Sequence, residues 1–187
     1  MGRSPTDPAA AAIDAGARST CMRYLRPTTH CYCALIPRLT PRTHVVIVRH
    51  PRERFVPIGT ARMAHLALAG SVLVDVVDVD DRFTFGDDAA VLFPGDDATP
   101  LENARAPSTL VVLDGTWSQA RSLLRKNPKL AALPRISYRP PAPGNYRIRK
   151  EPRDECLATI EAVAAVLGAF ENDVEAYAQL LRPFTWM

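Results

Sequence analysis

Asp114-Gly115-Thr116-Trp117 sets a carboxylate directly after Leu110-Val111-Val112-Leu113, the cleanest strand-like run of the chain. Directly after it, Trp117 to Lys126 has helical spacing. A carboxylate at the carboxyl end of a strand, beside amide N–H groups that open a helix, can take a proton or hold a cationic group in the crevice above a sheet. The same residues also fit a purely local role, because Thr116-Trp117-Ser118-Gln119 has the spacing of a capping box and Trp117 can be core. A second group is Cys21, Cys31 and Cys33, with Cys156 far downstream. Structural zinc takes four ligands, so these three thiols need a partner, and His30, His44 and His50 are the candidates. Scattered, unligated thiols fit the spacing as well. Cys156 sits where a helix starts, which can lower a thiol pKa, but it has no local partner for nucleophilic catalysis. A third group is Tyr146-Arg147-Ile148-Arg149-Lys150, whose alternation puts Arg147 and Arg149 on one face of an extended segment. Such a face suits phosphate or carboxylate, or it is a solvated edge strand. No dinucleotide fingerprint, Walker-type loop or zincin motif occurs, which removes those enzyme classes.

The elements that must position these groups follow from pattern. The chain has 187 residues with 47% hydrophobic and 23% charged, which predicts one ordinary globular domain. With 17 Pro and only 9 Gly, stiff loops are expected rather than a glycine-rich phosphate loop. Residues 1–17 are small, polar or proline and predict a disordered lead-in, leaving 18–187 as the domain. Val45-Val46-Ile47-Val48 predicts a strand buried on both faces. Thr60 to Ala69 predicts a helix with Thr60 as its cap, and Val72-Leu73-Val74 a strand. Ala90-Val91-Leu92-Phe93 predicts another strand, stopped by Pro94-Gly95. Arg135 to Tyr138 is a further strand candidate, followed by a proline-rich turn at residues 140–144. Cys156 to Phe170 predicts a helix with Leu157, Ile160, Val163, Ala164 and Leu167 on one face and Asp154 as its cap. Strands alternating with helices predict an α/β fold, with a mainly parallel sheet flanked by helices and sites at the carboxyl ends of strands. The longest apolar stretch, Leu66 to Val74, is far short of the roughly 20 residues of a membrane helix. No apolar signal-peptide core precedes it, so a cytoplasmic protein without membrane partners is expected.

Charge is segregated. The net charge of +3 conceals +6 over residues 1–54, −8 over 75–102 and +9 over 121–153. Basic blocks rich in arginine suit a polyanion, and the acidic block suits a solvated face turned away from it. Pairing of these arginines with the acidic block on folding is the other reading.

Taken in order, these landmarks resemble the DTW-domain family, the tRNA-uridine aminocarboxypropyltransferases. The name-giving D-x-T-W motif is Asp114-Gly115-Thr116-Trp117. Upstream stand Cys21…Arg26-Pro27…Cys31-Tyr32-Cys33, His50-Pro51-Arg52-Glu53, Gly59-Thr60-Ala61-Arg62 and Leu92-Phe93-Pro94. Downstream stand Pro128…Leu130…Leu133-Pro134-Arg135, the basic segment from Tyr146 and Leu157-Ala158-Thr159-Ile160-Glu161-Ala162. The resemblance runs from about Cys21 to Phe170. Two places depart from the family pattern. Tyr24 stands where the second cysteine of the entry motif belongs, so weak or absent zinc is expected at Cys21, Cys31 and Cys33. Pro57-Ile58-Gly59 stands where an Asn-containing stretch is usual.

The resemblance implies a SPOUT-like, knotted α/β fold that binds S-adenosylmethionine and moves its 3-amino-3-carboxypropyl group to N3 of a tRNA uridine, releasing methylthioadenosine. It implies Asp114 as the catalytic base. Leu92, Phe93, Pro94, Leu113, Gly115, Thr116, Trp117, Leu157 and Thr159 would line the donor site. Arg121, Arg125, Arg147, Arg149 and Lys150 would grip tRNA. No stable protein partner is inferred. A SPOUT-type RNA methyltransferase and a catalytically silent RNA-binding module are the alternatives from other classes.

Overall fold

The computed structural model describes residues 19–24, 26–56, 59–76, 84–141 and 157–185. These fall into two compact units, divided between Ala34 and Leu35. In the first unit, β1 (Thr20–Cys21) and β2 (Arg26–Pro27) form a short antiparallel pair. The lead-in predicted for residues 1–17 lies outside the described residues.

The second unit is built on one sheet. Its elements run β3 (His44–Arg49), α1 (Thr60–Ala67), β4 (Val72–Asp75), β5 (Ala89–Leu92), β6 (Thr99–Pro100), β7 (Thr109–Asp114), α2 (Trp117–Lys126), α3 (Pro128–Ala131), β8 (Arg135–Ser137), α4 (Thr159–Glu171), α5 (Val174–Ala178) and α6 (Arg182–Thr185). The six strands lie in the order β4-β3-β7-β5-β8-β6 and every pairing is parallel, so the mainly parallel sheet expected from the sequence is parallel throughout. Parallel strands covered on both faces cannot alternate polar with apolar residues. Accordingly Val45, Val46, Ile47, Val48, Leu110, Val111 and Val112 are all buried. Val46, Val48, Val91 and Val111 pack with Leu123 and Leu124 of α2 and Leu130 of α3. Because successive residues of a strand point to opposite faces, Val45, Ile47, Leu110 and Val112 serve the other face. There α1 and α4 contribute Ala61, Met63, Ala64, Ile160, Val163 and Leu167, all buried, and α1 packs on α4. Cutting a fully buried leucine such as Leu123 or Leu167 to alanine would cost about 2–5 kcal/mol.

The chain moves outward from β3 to β4, then crosses to the other side and later inserts β7 between β3 and β5. The carboxyl ends of β3, β7 and β5 therefore meet at the topological switch point, where open parallel sheets place their ligand crevice.

Two helix starts differ from the sequence reading. Thr60 is the first residue of α1, and Gly59 takes the cap position. The helix predicted from Cys156 starts at Thr159, after Ala158. Its start is fixed by the Glu161 carboxylate, which accepts the Ala158 N–H at 2.8 Å, a capping contact that does not need Asp154. Asp154, Cys156 and most of the proline-rich turn lie outside the described residues. At its other end α4 is tied to the start of β3. Glu171 accepts from the Arg42 N–H (2.7 Å), the Thr43 N–H (3.2 Å) and Arg42 Nε (2.8 Å). Burial acts to raise the Glu171 pKa, but the hydrogen bonds and charge from Arg42 outweigh it and hold the carboxyl below its usual value. No helix among the described residues is long and apolar enough to cross a membrane.

Candidate active site

A cavity of about 470 Å³ opens at the switch point, within the size range of small-molecule sites. Asp114, the last residue of β7, is buried at its base. Its side chain is aimed by α4, since Thr159 Oγ1 donates to Asp114 Oδ1 at 2.6 Å. Its carbonyl is pinned as well, accepting the His50 N–H at 2.9 Å just beyond β3. The side chain of Asp114 is thus aimed from α4 while its backbone is fixed from the end of β3.

The turn after Asp114 is a capping box. Thr116 N–H donates to Gln119 Oε1 at 2.6 Å, and Gln119 N–H donates to Thr116 Oγ1 at 3.3 Å. The capping box expected from the spacing therefore forms, and the residue that precedes it lines the cavity. Gly115 has φ +152°, and a Cβ there would lie 2.8 Å from Gln119 Oε1 and 3.1 Å from Gln119 Cβ. Any side chain in that place would be strained by the backbone and would push Gln119 aside.

All the residues expected at the donor site line this cavity: Leu92, Phe93, Pro94, Leu113, Gly115, Thr116, Trp117, Leu157 and Thr159. The Phe93 and Trp117 rings meet with centroids 5.7 Å apart and planes tilted by 57°, forming one aromatic wall. Arg121, one turn along α2, is exposed and also lines the cavity.

Three further lining residues carry chemistry and were not singled out as site residues from sequence. Glu53 is buried and is a second acidic residue in the cavity lining. Thr60 brings a hydroxyl at the start of α1, and Tyr138 brings a phenol just beyond β8. Burial pushes the Tyr138 phenol above its ordinary pKa, so it stays a neutral hydrogen-bonding group at physiological pH. Each lies just beyond the carboxyl end of a parallel strand or opens the helix that follows one, and that position was the signal available in the sequence.

The remaining expectations fall elsewhere. Arg125 lines a separate hollow, described below. Arg147, Arg149 and Lys150 lie outside the described residues. In the first unit Cys21, Cys31 and Cys33 bring their sulfurs within 4.8 Å of one another, with Cys21 and Cys33 Sγ 3.5 Å apart. Hydrogen bonding to Cys31 lowers the Cys21 pKa, while burial first, then Cys31 and Cys21, push Cys33 up to about 12. The thiols fit three corners of a zinc tetrahedron. Tyr24, at the position of the missing cysteine, is packed edge-on against Tyr32 with ring centroids 4.2 Å apart, and offers no thiolate. The histidines considered as fourth ligands are engaged: His30 Nδ1 with Thr29 Oγ1, His44 Nε2 with the Gly70 carbonyl, and His50 Nδ1 with the Arg52 N–H.

A fully parallel sheet with a cavity at its switch point, lined by a buried acidic residue and an aromatic wall, defines an open-sheet α/β domain. More narrowly, the chain belongs to the DTW-domain family, whose description, DTW domain, matches residues 18–187. A Drosophila melanogaster relative named tRNA-uridine aminocarboxypropyltransferase 2 is 30% identical over 182 residues, covering 89% of this chain and 72% of the relative. A mouse protein of the same name is 30% identical over 182 residues, 89% of this chain and 61% of its own length. An Arabidopsis thaliana relative, tRNA-uridine aminocarboxypropyltransferase A, is 25% identical over 197 residues, 84% of this chain and 75% of its own. The chain therefore spans about three fifths of the mouse relative and nearly three quarters of the insect one. No solved structure matches it.

Proposed function

We propose that this protein transfers the 3-amino-3-carboxypropyl group of S-adenosylmethionine to N3 of a uridine in tRNA. The observation that carries the reading is the Asp114 carboxylate, buried at the base of the cavity and aimed by the Thr159 hydroxyl. Uridine N3–H is a weak acid, and a positioned carboxylate can take its proton as the nitrogen attacks. N3 forms a bond to the carbon next to sulfur, and that C–S bond breaks with its electron pair going to sulfur. Methylthioadenosine leaves as a neutral thioether, and the proton ends on Asp114. A sulfonium needs no activation, so the task of the protein is to choose which of its three carbons the nucleophile meets.

The cavity lining fits such a donor. Phe93, Trp117, Leu92 and Leu157 offer apolar and aromatic surface for an adenosine, while the charge of Glu53 complements a sulfonium or an ammonium. Arg121 and Arg125 supply cations for the tRNA backbone, and Arg147, Arg149 and Lys150 extend that grip on the strength of the sequence. The reading carries with it a cytoplasmic enzyme and a SPOUT-like, knotted architecture.

The test is nucleoside mass spectrometry on tRNA incubated with the protein and S-adenosylmethionine. A uridine heavier by one aminocarboxypropyl group, formed with stoichiometric methylthioadenosine, is the expected result. A methylated nucleoside with S-adenosylhomocysteine would make the protein a methyltransferase. Absence of product together with absence of S-adenosylmethionine binding in calorimetry would leave an RNA-binding module.

A further inference from the structure

A second hollow, of about 560 Å³, lies on the other side of the turn that follows Asp114, and shares Ser118 with the first. Its charged groups are Arg52, from the 3-10 turn Pro51–Glu53, and Arg125 and Lys126 from the last turn of α2. Ser118 and Ser122 of the same helix also line it, and among the described residues no acidic one does.

The pairing of these cations separates them from other arginines of the fold. Arg42, Arg49, Arg54, Arg105 and Arg135 each have a carboxylate within 4.0 Å, from Glu171, Asp75, Asp75, Asp88 and Asp97 respectively. Among the described residues no carboxylate pairs with Arg52, Arg125 or Lys126. Three like charges crowded into one concavity repel one another and gain from an anion placed among them. The hollow is also held in register with the cavity. His50 lines it, and the His50 N–H is bonded to the Asp114 carbonyl while His50 Nδ1 accepts the Arg52 N–H. An anion seated there is indexed to Asp114 through two hydrogen bonds.

We infer that this hollow seats a backbone phosphate of the RNA whose uridine enters the cavity, with Arg52 and Lys126 as positioning residues alongside Arg125. The inference rests on the tRNA reading above. Guanidinium forks and serine hydroxyls are the usual partners of phosphate oxygens, and contacts of this kind fix register without reading sequence. A nucleotide extruded into the cavity leaves its neighbours' phosphates close to the rim, so a seat one helix-width away holds the strand while the base is presented.

The experiment measures tRNA affinity against salt for the wild type, Arg52→Gln, Lys126→Gln and the double variant, with S-adenosylmethionine affinity and melting temperature recorded on each. Arg105→Gln removes the same charge from a paired site and serves as the control. The plot of log affinity against log salt is expected to flatten by about one contact for each of the two substitutions and about two for the pair. Arg105→Gln is expected to leave the slope alone, and all four variants to keep donor affinity and melting temperature. Wild-type slope in the double variant overturns the seat, and if transfer is intact in that protein the enzyme reading stands without it. A wild type that neither binds S-adenosylmethionine nor transfers, yet loses slope on substitution, keeps the seat and removes the enzyme reading. Saturable binding of inorganic phosphate that the double variant loses, with an unchanged tRNA slope, would make the hollow a free-phosphate site and overturn the RNA assignment.

Discussion

The second hollow is built wholly from residues 50–52 and 118–126, and the cavity, which draws on those neighbourhoods through Glu53 and residues 115–121, takes most of its lining from the ends of the other strands and from α4. Glu53 and Asp114 line the cavity together with one cation among the described residues, Arg121, whereas Arg52, Arg125 and Lys126 line the hollow with no acid among the described residues. Helical geometry does the sorting. Trp117, Ala120 and Arg121, at i, i+3 and i+4, face the cavity, Ser122 and Arg125 reach the hollow, and Ser118 borders both. One helix thus serves as the partition between a chamber suited to a cationic donor and a seat suited to an anionic backbone. The lesson is that a net charge of +3 says little about such a protein, because the decisive charges are separated over one helix width.

The comparison predicts that damage to the carboxylate side alters chemistry and leaves anchoring intact. The largest expected effect is from Asp114→Asn. Asn is nearly isosteric, so melting temperature and S-adenosylmethionine affinity should hold while single-turnover transfer falls by about 10²–10⁴. Near-normal transfer would remove Asp114 from the proton step. A joint loss of donor binding would give it a holding role instead.

Gly115→Ala should disturb both sides at once, because the turn is their common boundary. The left-handed backbone and the approach to Gln119 set strain of about 1–3 kcal/mol against the capping box. A melting temperature lowered by several degrees, with transfer and tRNA affinity both reduced, is expected. Loss confined to transfer would mean that the two sides are independent of the turn.

Thr159→Val removes one donor from Asp114 and nothing from the hollow. A hydrogen bond to a charged group contributes about 1.5–3 kcal/mol, so transfer should fall on the order of tenfold or more with the salt slope unchanged. Thr159→Ser should restore most of it. Failure of that rescue would mean that the methyl group, not the hydroxyl, is what the site uses.

The smallest effect is expected from metal removal. Tyr24 leaves the thiol set one ligand short, so zinc well below one equivalent is expected in protein purified without added metal, and a chelator should leave transfer unchanged. Stoichiometric zinc by elemental analysis would overturn this, and a chelator-sensitive rate would show that the cavity depends on the thiol unit.

Much of the fold was legible because parallel strands advertise themselves. Val45 to Val48 and Leu110 to Leu113 have no polar residue to point at solvent, and both are central strands. The capping box and the carboxylate at Asp114 were legible for a similar reason, since the motif and the strand end coincide. Strand order was not legible, because which strand lies beside β7 is set by packing across the whole sheet. Glu53 and Tyr138 were missed because a position just past a strand end becomes meaningful only once the strands are known to be parallel and adjacent. The second hollow was out of reach altogether, because Arg52 and Lys126 are far apart in sequence and each alone reads as an ordinary surface charge.

The motif is written D-x-T-W, with its second place left open to any residue. In this chain that openness is illusory. The backbone at Gly115 lies where side chains are disfavoured, and the space a Cβ would take already belongs to Gln119, three places further on. Residues 115 and 119 are thus a single choice spread over two positions. A relative with a bulkier second letter must build its turn another way, giving up either the glutamine bracket or the sharp exit from the strand. Sorting family members by that pair would divide them by turn architecture, which the three-letter name does not distinguish.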